Sequence, residues 1–313
     1  MVSSAKRAIY AALVGDCLIV VLKFGAALLT GSSAMLSEGI HSVVDTGNDV
    51  LLLYGLRQAR RPADERFPFG HGKEVYFWSF VVALLIFAAG AGSSIFKGIS
   101  HLISPTPVQN LYLNYIVLAM AAVFEGFSWS VGFKEFSKTK GRWGYVRAVH
   151  RAKDSSILVV LFEDSAAILS LLTAFFGIFL SHITGSYFFD GAASIVIGLI
   201  LAGTALLLAS ETKGLLMGES ANKEVEQGIR DIASAFKGIS HVNEILTMQM
   251  GPDFILANIS VDFVDPILAD EIEATVSRLD KAIKQAYPLV KRVFVEAEAR
   301  RVKDVGTQAG AGI

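Results

Sequence analysis

His41 and Asp45 stand four residues apart, and Asn48 follows at seven from His41. On a helix these spacings put an imidazole, a carboxylate and an amide on one face, the first two a turn apart and able to grip one cation. Asp49 lies four beyond Asp45 and extends the stripe along a path of entry. Further along, Glu163 and Asp164 are adjacent, so on a helix they point about 100° apart and only one can aim fully at a shared ion. Asp164 is the expected ligand, because Ser165, Ala166 and Ala167 after it let its helix approach another closely. Glu163 is an auxiliary ligand, a proton carrier, or a hydrogen-bond partner of a neighbouring helix. Asp16 and Lys23, seven apart, share a face and read most simply as members of an ion pair, while Glu125 pairs with Lys23 across a bundle or joins a proton relay.

One imidazole with carboxylates suits zinc, cobalt(II), iron(II) or manganese(II), with zinc first; an all-oxygen cage would suit magnesium or calcium, and thiolates copper(I). The single Cys17 offers neither a thiolate cluster nor a disulfide, and reads as a small buried hydrophobe. Ligands that titrate also couple cargo to protons: binding a divalent ion releases protons, and protonation releases the ion. The cation is therefore expected as cargo, with no resident cofactor.

The elements that must position these groups are membrane spans. Of 313 residues, 53% are apolar and 18% charged, and the mean hydropathy is +0.51, so the bilayer is the expected solvent. A spanning helix needs roughly 20 apolar residues. Six stretches qualify, at about 8–30, 33–55, 75–100, 111–133, 155–181 and 190–212. The first is long enough to remain as a span, so no cleaved leader is expected. Helix rise puts Asp16, His41, Asp45, Glu125 and Asp164 near one level, roughly 12–20 Å inside. An ionisable group there costs several kcal/mol, which makes each a functional candidate, and transporters place their ions at that depth.

Lys and Arg set the orientation. Lys6 and Arg7 precede the first span, Arg57, Arg60, Arg61, Arg66 and Lys73 fill the second-to-third connection, and Lys138, Lys140, Arg142, Arg147, Arg151 and Lys153 the fourth-to-fifth. These face the cytoplasm. The alternate connections, Gly31 to Ser33, His101 to Asn110 and Ser181 to Asp190, carry none and face outward, so both termini lie inside. A net charge of −1 without an aromatic-interleaved basic patch excludes a nucleic-acid partner.

After the transmembrane part, 1–213, the pattern becomes that of an α+β domain over 214–303: a helix from Glu219 to Phe236, strands Ile239 to Met250 and Phe254 to Phe263, a helix Ile267 to Tyr287, and a strand Val290 to Ala297. The Gly- and Ala-rich tail 304–313 is expected to be disordered.

Several fragments together resemble the cation diffusion facilitators, the family of the zinc transporters. They are Gly-Ser-x-Ala-x-Leu-x-Glu-x-x-His-Ser-x-x-Asp over Gly31 to Asp45, Phe69-Gly70-His71-Gly72-Lys73, Ile103-Ser104-Pro105, and Asp164. The resemblance implies a homodimeric metal/proton antiporter with its site between the second and fifth spans and a metallochaperone-like cytoplasmic domain. His41, Asp45 and Asp164 match three of four ligands. The fourth position is Val160 here, and Asn48, Glu163 or water are candidates to replace it. Glu163-Asp164 after a long apolar approach looks like the branch containing the animal mitochondrial zinc transporter.

The same resemblance marks Asp64 and His71 as a loop metal site, but Phe67 stands where a second histidine is common, so tight binding is not expected there. In the C-terminal domain His241 is the single histidine, and Glu244, Asp262, Glu296 and Glu298 read as a solvated face or charge pairs rather than a zinc cluster. Lys73 is either an interfacial anchor or the partner of Glu219, linking the membrane part to the soluble part.

The expected protein is a zinc/proton antiporter of alternating access in a bacterial inner membrane. Alternatives are efflux of iron(II) or manganese(II) by the same fold, and a membrane-anchored metal sensor or scaffold. A mere anchor has no use for buried charges in four spans. No nucleophile paired with a base appears in the spans, so no enzyme is expected.

Overall fold

A computed structural model describes residues 2–105, 111–140 and 143–300. The tail 304–313, Arg142 and residues 106–110 of the third-to-fourth connection lie outside the described residues. The chain divides into two compact units, Met1–Met217 and Gly218–Ile313.

Among the described residues the regular elements of the first unit are all helices. Helices α1 (Val2–Thr30) and α2 (Ser33–Gln58) pack along each other. Between them Gly31, at φ +70°, makes the tight reversal that a side chain would strain, and Ser32 N-caps α2 by accepting from the Met35 amide at 3.2 Å. The third span, Glu74–Ile103, is not the uninterrupted helix its hydropathy suggests. It runs as α3 (Glu74–Leu85), a π-helical segment Ile86–Ala91, and α4 (Gly92–Ile103). Helix α5 (Leu111–Thr139) follows, then a short α6 (Tyr145–Arg151) inside the basic connection, then α7 (Ser155–Thr184) and α8 (Phe188–Met217). Helix α7 starts at an Asp154 cap and ends on Gly185 at φ +67°.

Among the described residues five helical stretches, beginning at Leu13, Glu74, Tyr112, Ser155 and Phe188, are long and apolar enough to cross a membrane. Helix α2 has 26 residues but carries Glu38, His41, Asp45 and Asp49 within them, which lowers its hydropathy. The chain is thus an α-helical integral membrane protein with a small α+β unit.

Helix α8 touches α4 and the π-helical segment before it through glycines. A Cβ on Gly98 would meet the Gly191 carbonyl oxygen at 2.7 Å, and one on Gly198 would meet the Ala91 carbonyl oxygen at 3.0 Å. Such close approach replaces the hydrophobic drive that lipid cannot supply. Cys17 is exposed, not buried as expected: on a helix facing hydrocarbon the outward side is as apolar as the core.

In the second unit the order is α9 (Lys223–Ser234), β1 (Ile239–Gly251), β2 (Phe254–Phe263), α10 (Ala269–Ala286) and β3 (Val290–Ala297). The sheet runs β1-β2-β3, antiparallel then parallel, with Ile229, Ile245, Ile259, Leu279 and Ile283 in its core. Helix α9 starts at Lys223, four residues later than the sequence pattern suggests, and the carbonyl of Asn222 before it accepts from the Val225 amide.

Candidate functional site

Helix α2 carries the expected stripe, and it faces α7. His41 Nε2 lies 3.2 Å from Asp45 Oδ1, with the two residues 1% and 4% exposed, so the pair is sealed from solvent. Asn48 Nδ2, a turn further, donates to Glu163 Oε1 on α7 at 2.7 Å. The Asp45 and Glu163 carboxyls come within hydrogen-bonding reach of each other. One imidazole and two carboxyls therefore line the α2/α7 seam, with Asn48 fixing one of them.

Asp164 turns to the other side of α7, as the 100° step dictates. Its Oδ2 accepts from the Ser128 hydroxyl of α5 at 2.9 Å, and the neighbouring Ser165 accepts from Trp129 Nε1 at 3.0 Å. Asp49 is buried within electrostatic reach of Glu163 and Asp164. Val160, in the fourth-ligand position, is a buried hydrophobe. Among the described residues no three of His, Cys, Asp and Glu converge closely enough to hold one metal ion. The structure brings His41, Asp45, Asn48 and Glu163 together and leaves Asp164 one helix face away.

Beside this seam lies a second set. Lys23 Nζ sits 3.0 Å from Glu38 Oε2 and 3.6 Å from Glu125 Oε1, and donates to the Ser42 hydroxyl at 2.8 Å, all fully or nearly fully buried. Glu125 thus pairs with Lys23 across the bundle. Asp16, expected as the partner of Lys23, is buried within electrostatic reach of Glu125, Lys23 and His41. Glu38 has no role in the sequence reading beyond its place in the motif. Its signal was its spacing of three from His41, which puts it on the same side of α2.

The cation efflux transmembrane domain matches residues 9–217, two-thirds of the chain. The chain belongs to the cation efflux family. Among relatives of this family member, the mitochondrial proton-coupled zinc antiporter SLC30A9 of Xenopus laevis is 29% identical over 306 residues, covering 85% of this chain and 55% of the relative. Metal tolerance protein C4 of Arabidopsis thaliana is 29% identical over 264 residues, covering 83% and 57%. The cation-efflux pump FieF of Escherichia coli is 27% identical over 285 residues, covering 90% and 89%. This chain spans little more than half the length of the first two.

In this cation efflux protein the loop residues Asp64 and His71 do meet, with His71 Nε2 2.9 Å from Asp64 Oδ2. Asp64 Oδ1 accepts from the amides of Arg66 and Phe67 at 3.0 and 2.7 Å, and the Phe67 ring lies against the imidazole, 4.6 Å between centroids. The hydrogen bond to His71 and those to the two amides hold the Asp64 carboxyl below its usual range. The pair closes a turn. Lys73 donates to the Leu216 carbonyl at 3.5 Å, and the Glu219 carbonyl accepts from the Gln249 amide at 2.9 Å.

The strand acids of the second unit are engaged locally. Glu298 accepts from Ser260 at 2.7 Å, Glu296 from Asn258 at 3.4 Å, and Asp262 from Ser240 at 3.2 Å. His241 stands opposite Asp262 in the β1/β2 register.

Asp190 was missed in a different way. Placed at the boundary of the outward connection and the sixth span, it lies in the first turn of α8 and is fully buried, 3.7 Å from His101 Nε2.

Proposed function

We propose that this protein exports divalent transition-metal ions, zinc first, in exchange for protons. The observation that carries this is the sealed His41 and Asp45 pair facing Glu163 across the α2/α7 seam of a membrane-embedded bundle. Two facing carboxyls are relieved of like-charge repulsion by either a proton or a divalent ion between them, at Asp45 and Glu163 as elsewhere. Cargo and proton then compete for one position, the requirement for exchange. The relatives named zinc antiporter, metal tolerance protein and cation-efflux pump support the same class.

The site is His41, Asp45, Glu163 and Asp164, with Asp164 swinging in from Ser128 when the ion arrives, and Asn48 and Asp49 serving approach and proton transfer. The ion is cargo, no resident cofactor is needed, and no covalent chemistry takes place. Alternating access opens this midplane site to one side and then the other. The Lys/Arg-rich connections face the cytoplasm with both termini, in a bacterial inner membrane, and the protein works as a homodimer.

Purified protein in proteoliposomes tests this: zinc uptake should rise with an opposing proton gradient and collapse when the gradient is dissipated. Zinc flux indifferent to the gradient would exclude exchange. The carboxyl-rich seam, with a single imidazole, also favours a second cargo, iron(II) or manganese(II). Competition in the same vesicles ranks them.

A further inference from the structure

Asp190 joins three helices at the end of the bundle remote from the Lys/Arg-rich connections. Its Oδ1 accepts from the Ser32 hydroxyl at 2.8 Å and its Oδ2 from the Ala34 amide at 3.4 Å, both at the start of α2. His101, in the last turn of α4, adds an imidazole 3.7 Å from Oδ2. The backbone amide of Asp190 donates to Ser181 of α7 at 3.1 Å. The carboxylate has no exposed surface, so these contacts stand in for water.

A cap for α2 does not require Asp190. Ser32 already accepts from the Met35 amide, and an N-cap hydroxyl suffices to satisfy a helix start. What Asp190 adds is a charge from α8 laid against the amide end of α2, where the helix dipole favours it. Helices α4 and α8 are locked to each other beside this point by Gly98 and Gly191, so they present one stiff body to which α2 is tied. Along α2, His41 lies nine residues from Ser32, about 13 Å by helix rise. Against the tie lies a cavity of about 240 Å³ lined by Ser32, Leu36, Lys97, Ser100, His101 and Ser104. The cavity thus borders the tie directly, and along α2 it extends to Leu36, one turn beyond Ser32 toward the His41 and Asp45 pair.

We propose that Asp190 is a positioning residue for transport: it clamps the remote end of α2 onto α4 and α8, and the seam opens to that side when Asp190 releases Ser32 and Ala34. The inference rests on the transport reading for its meaning, but the clamp itself can be measured without transport. It assigns to Asp190 and Ser32 a part in gating, while neither touches cargo.

The test uses the full-length protein in a Cys17→Ser background with Leu36→Cys as reporter, since Leu36 lines the cavity. Asp190→Asn should raise the rate of modification by a membrane-impermeant thiol reagent about tenfold, the effect of losing a charge-assisted hydrogen bond that favours one state. Ser32→Ala removes the same bond from the other side and should do likewise, which keeps the test intact if one variant folds poorly. Zinc affinity of the solubilised variants should stay at the parent value, while the maximal transport rate falls about tenfold with KM unchanged. A purely structural role predicts instead that zinc affinity and melting temperature fall together while labelling stays put. That pattern, or wild-type labelling in both variants, overturns the clamp. A parent protein that binds zinc but moves none overturns the transport reading alone, and labelling still decides the clamp.

Discussion

Asn48 of α2 donates to Glu163 of α7 at 2.7 Å, while Asp164, the next residue, is held by Ser128 of α5 at 2.9 Å. Two adjacent carboxylates are thus assigned to two different neighbours. Glu163→Gln should retain the Asn48 contact but lose a charge at the seam. We expect a zinc KM raised about tenfold or more with the fold intact, and Asn48→Ala should share part of the effect. Zinc titrations of transport check this; a Glu163→Gln protein with unaltered KM would remove Glu163 from the site.

His41→Ala, Asp45→Ala and Asp164→Ala should each abolish transport while leaving expression and melting temperature near the parent values. The expectation follows from their polar surroundings, His41 and Asp45 at the α2/α7 seam and Asp164 against the Ser128 hydroxyl of α5, rather than from the apolar packing. Transport at the parent rate in any one of the three shows that residue is no ligand.

Lys23→Met should destabilise the membrane unit by about 3 kcal/mol or more, because Glu38 and Glu125 would be left buried without their cation. Adding Glu38→Gln should recover part of the loss. Thermal melts of the detergent-solubilised protein read both, and a Lys23→Met protein melting with the parent would show that the two glutamates find another partner.

The turn at Asp64 should depend on pH in one direction only. Its folded carboxyl titrates below the unfolded value of about 3.9. The contribution is therefore complete above that value and lost as pH falls through the lower folded value. Hydrogen exchange at the Arg66 and Phe67 amides should be pH-corrected flat near neutrality and accelerate only in that acid window. His71→Ala should move the onset upward; the same onset with and without His71 would show that the amides alone hold the carboxyl down.

Gly98→Ala should cost about 1–3 kcal/mol, since the new Cβ would meet not only the Ile195 side chain but also the α8 backbone at the Gly191 carbonyl oxygen and the Ile195 amide nitrogen. An unchanged melting temperature would mean that α4 and α8 can part freely.

What was legible in the sequence was local. The spacing of His41, Asp45 and Asn48 foretold a single helical face because helix geometry alone decides it, and the span lengths followed from the bilayer. Partners across helices were less so. The sequence offered Asp16 and Glu125 to Lys23; packing chose Glu125 and added Glu38, a choice set by how α1, α2 and α5 rotate. Asp190 was hidden because it fell on the edge between the connection Ser181 to Asp190 and the span 190–212, whereas α8 begins at Phe188 and its first turn is buried by α2 and α4. The exposed Cys17 follows from the solvent: an apolar residue on a lipid-facing helix side satisfies the same pattern as one in the core.

The π-helical segment Ile86–Ala91 can be regarded as one residue more than an α-helix of the same rise would use. Each residue of α-helix turns the chain by about 100°. Upstream of the segment, Ser79 meets Ser155 of α7; downstream, Gly98 meets Gly191 of α8. Those two faces are in register only because the extra residue sits between them. Deleting any single residue from 86–91 would straighten the helix and leave its two halves out of phase, so that either the serine contact or the glycine contact could form, but not both.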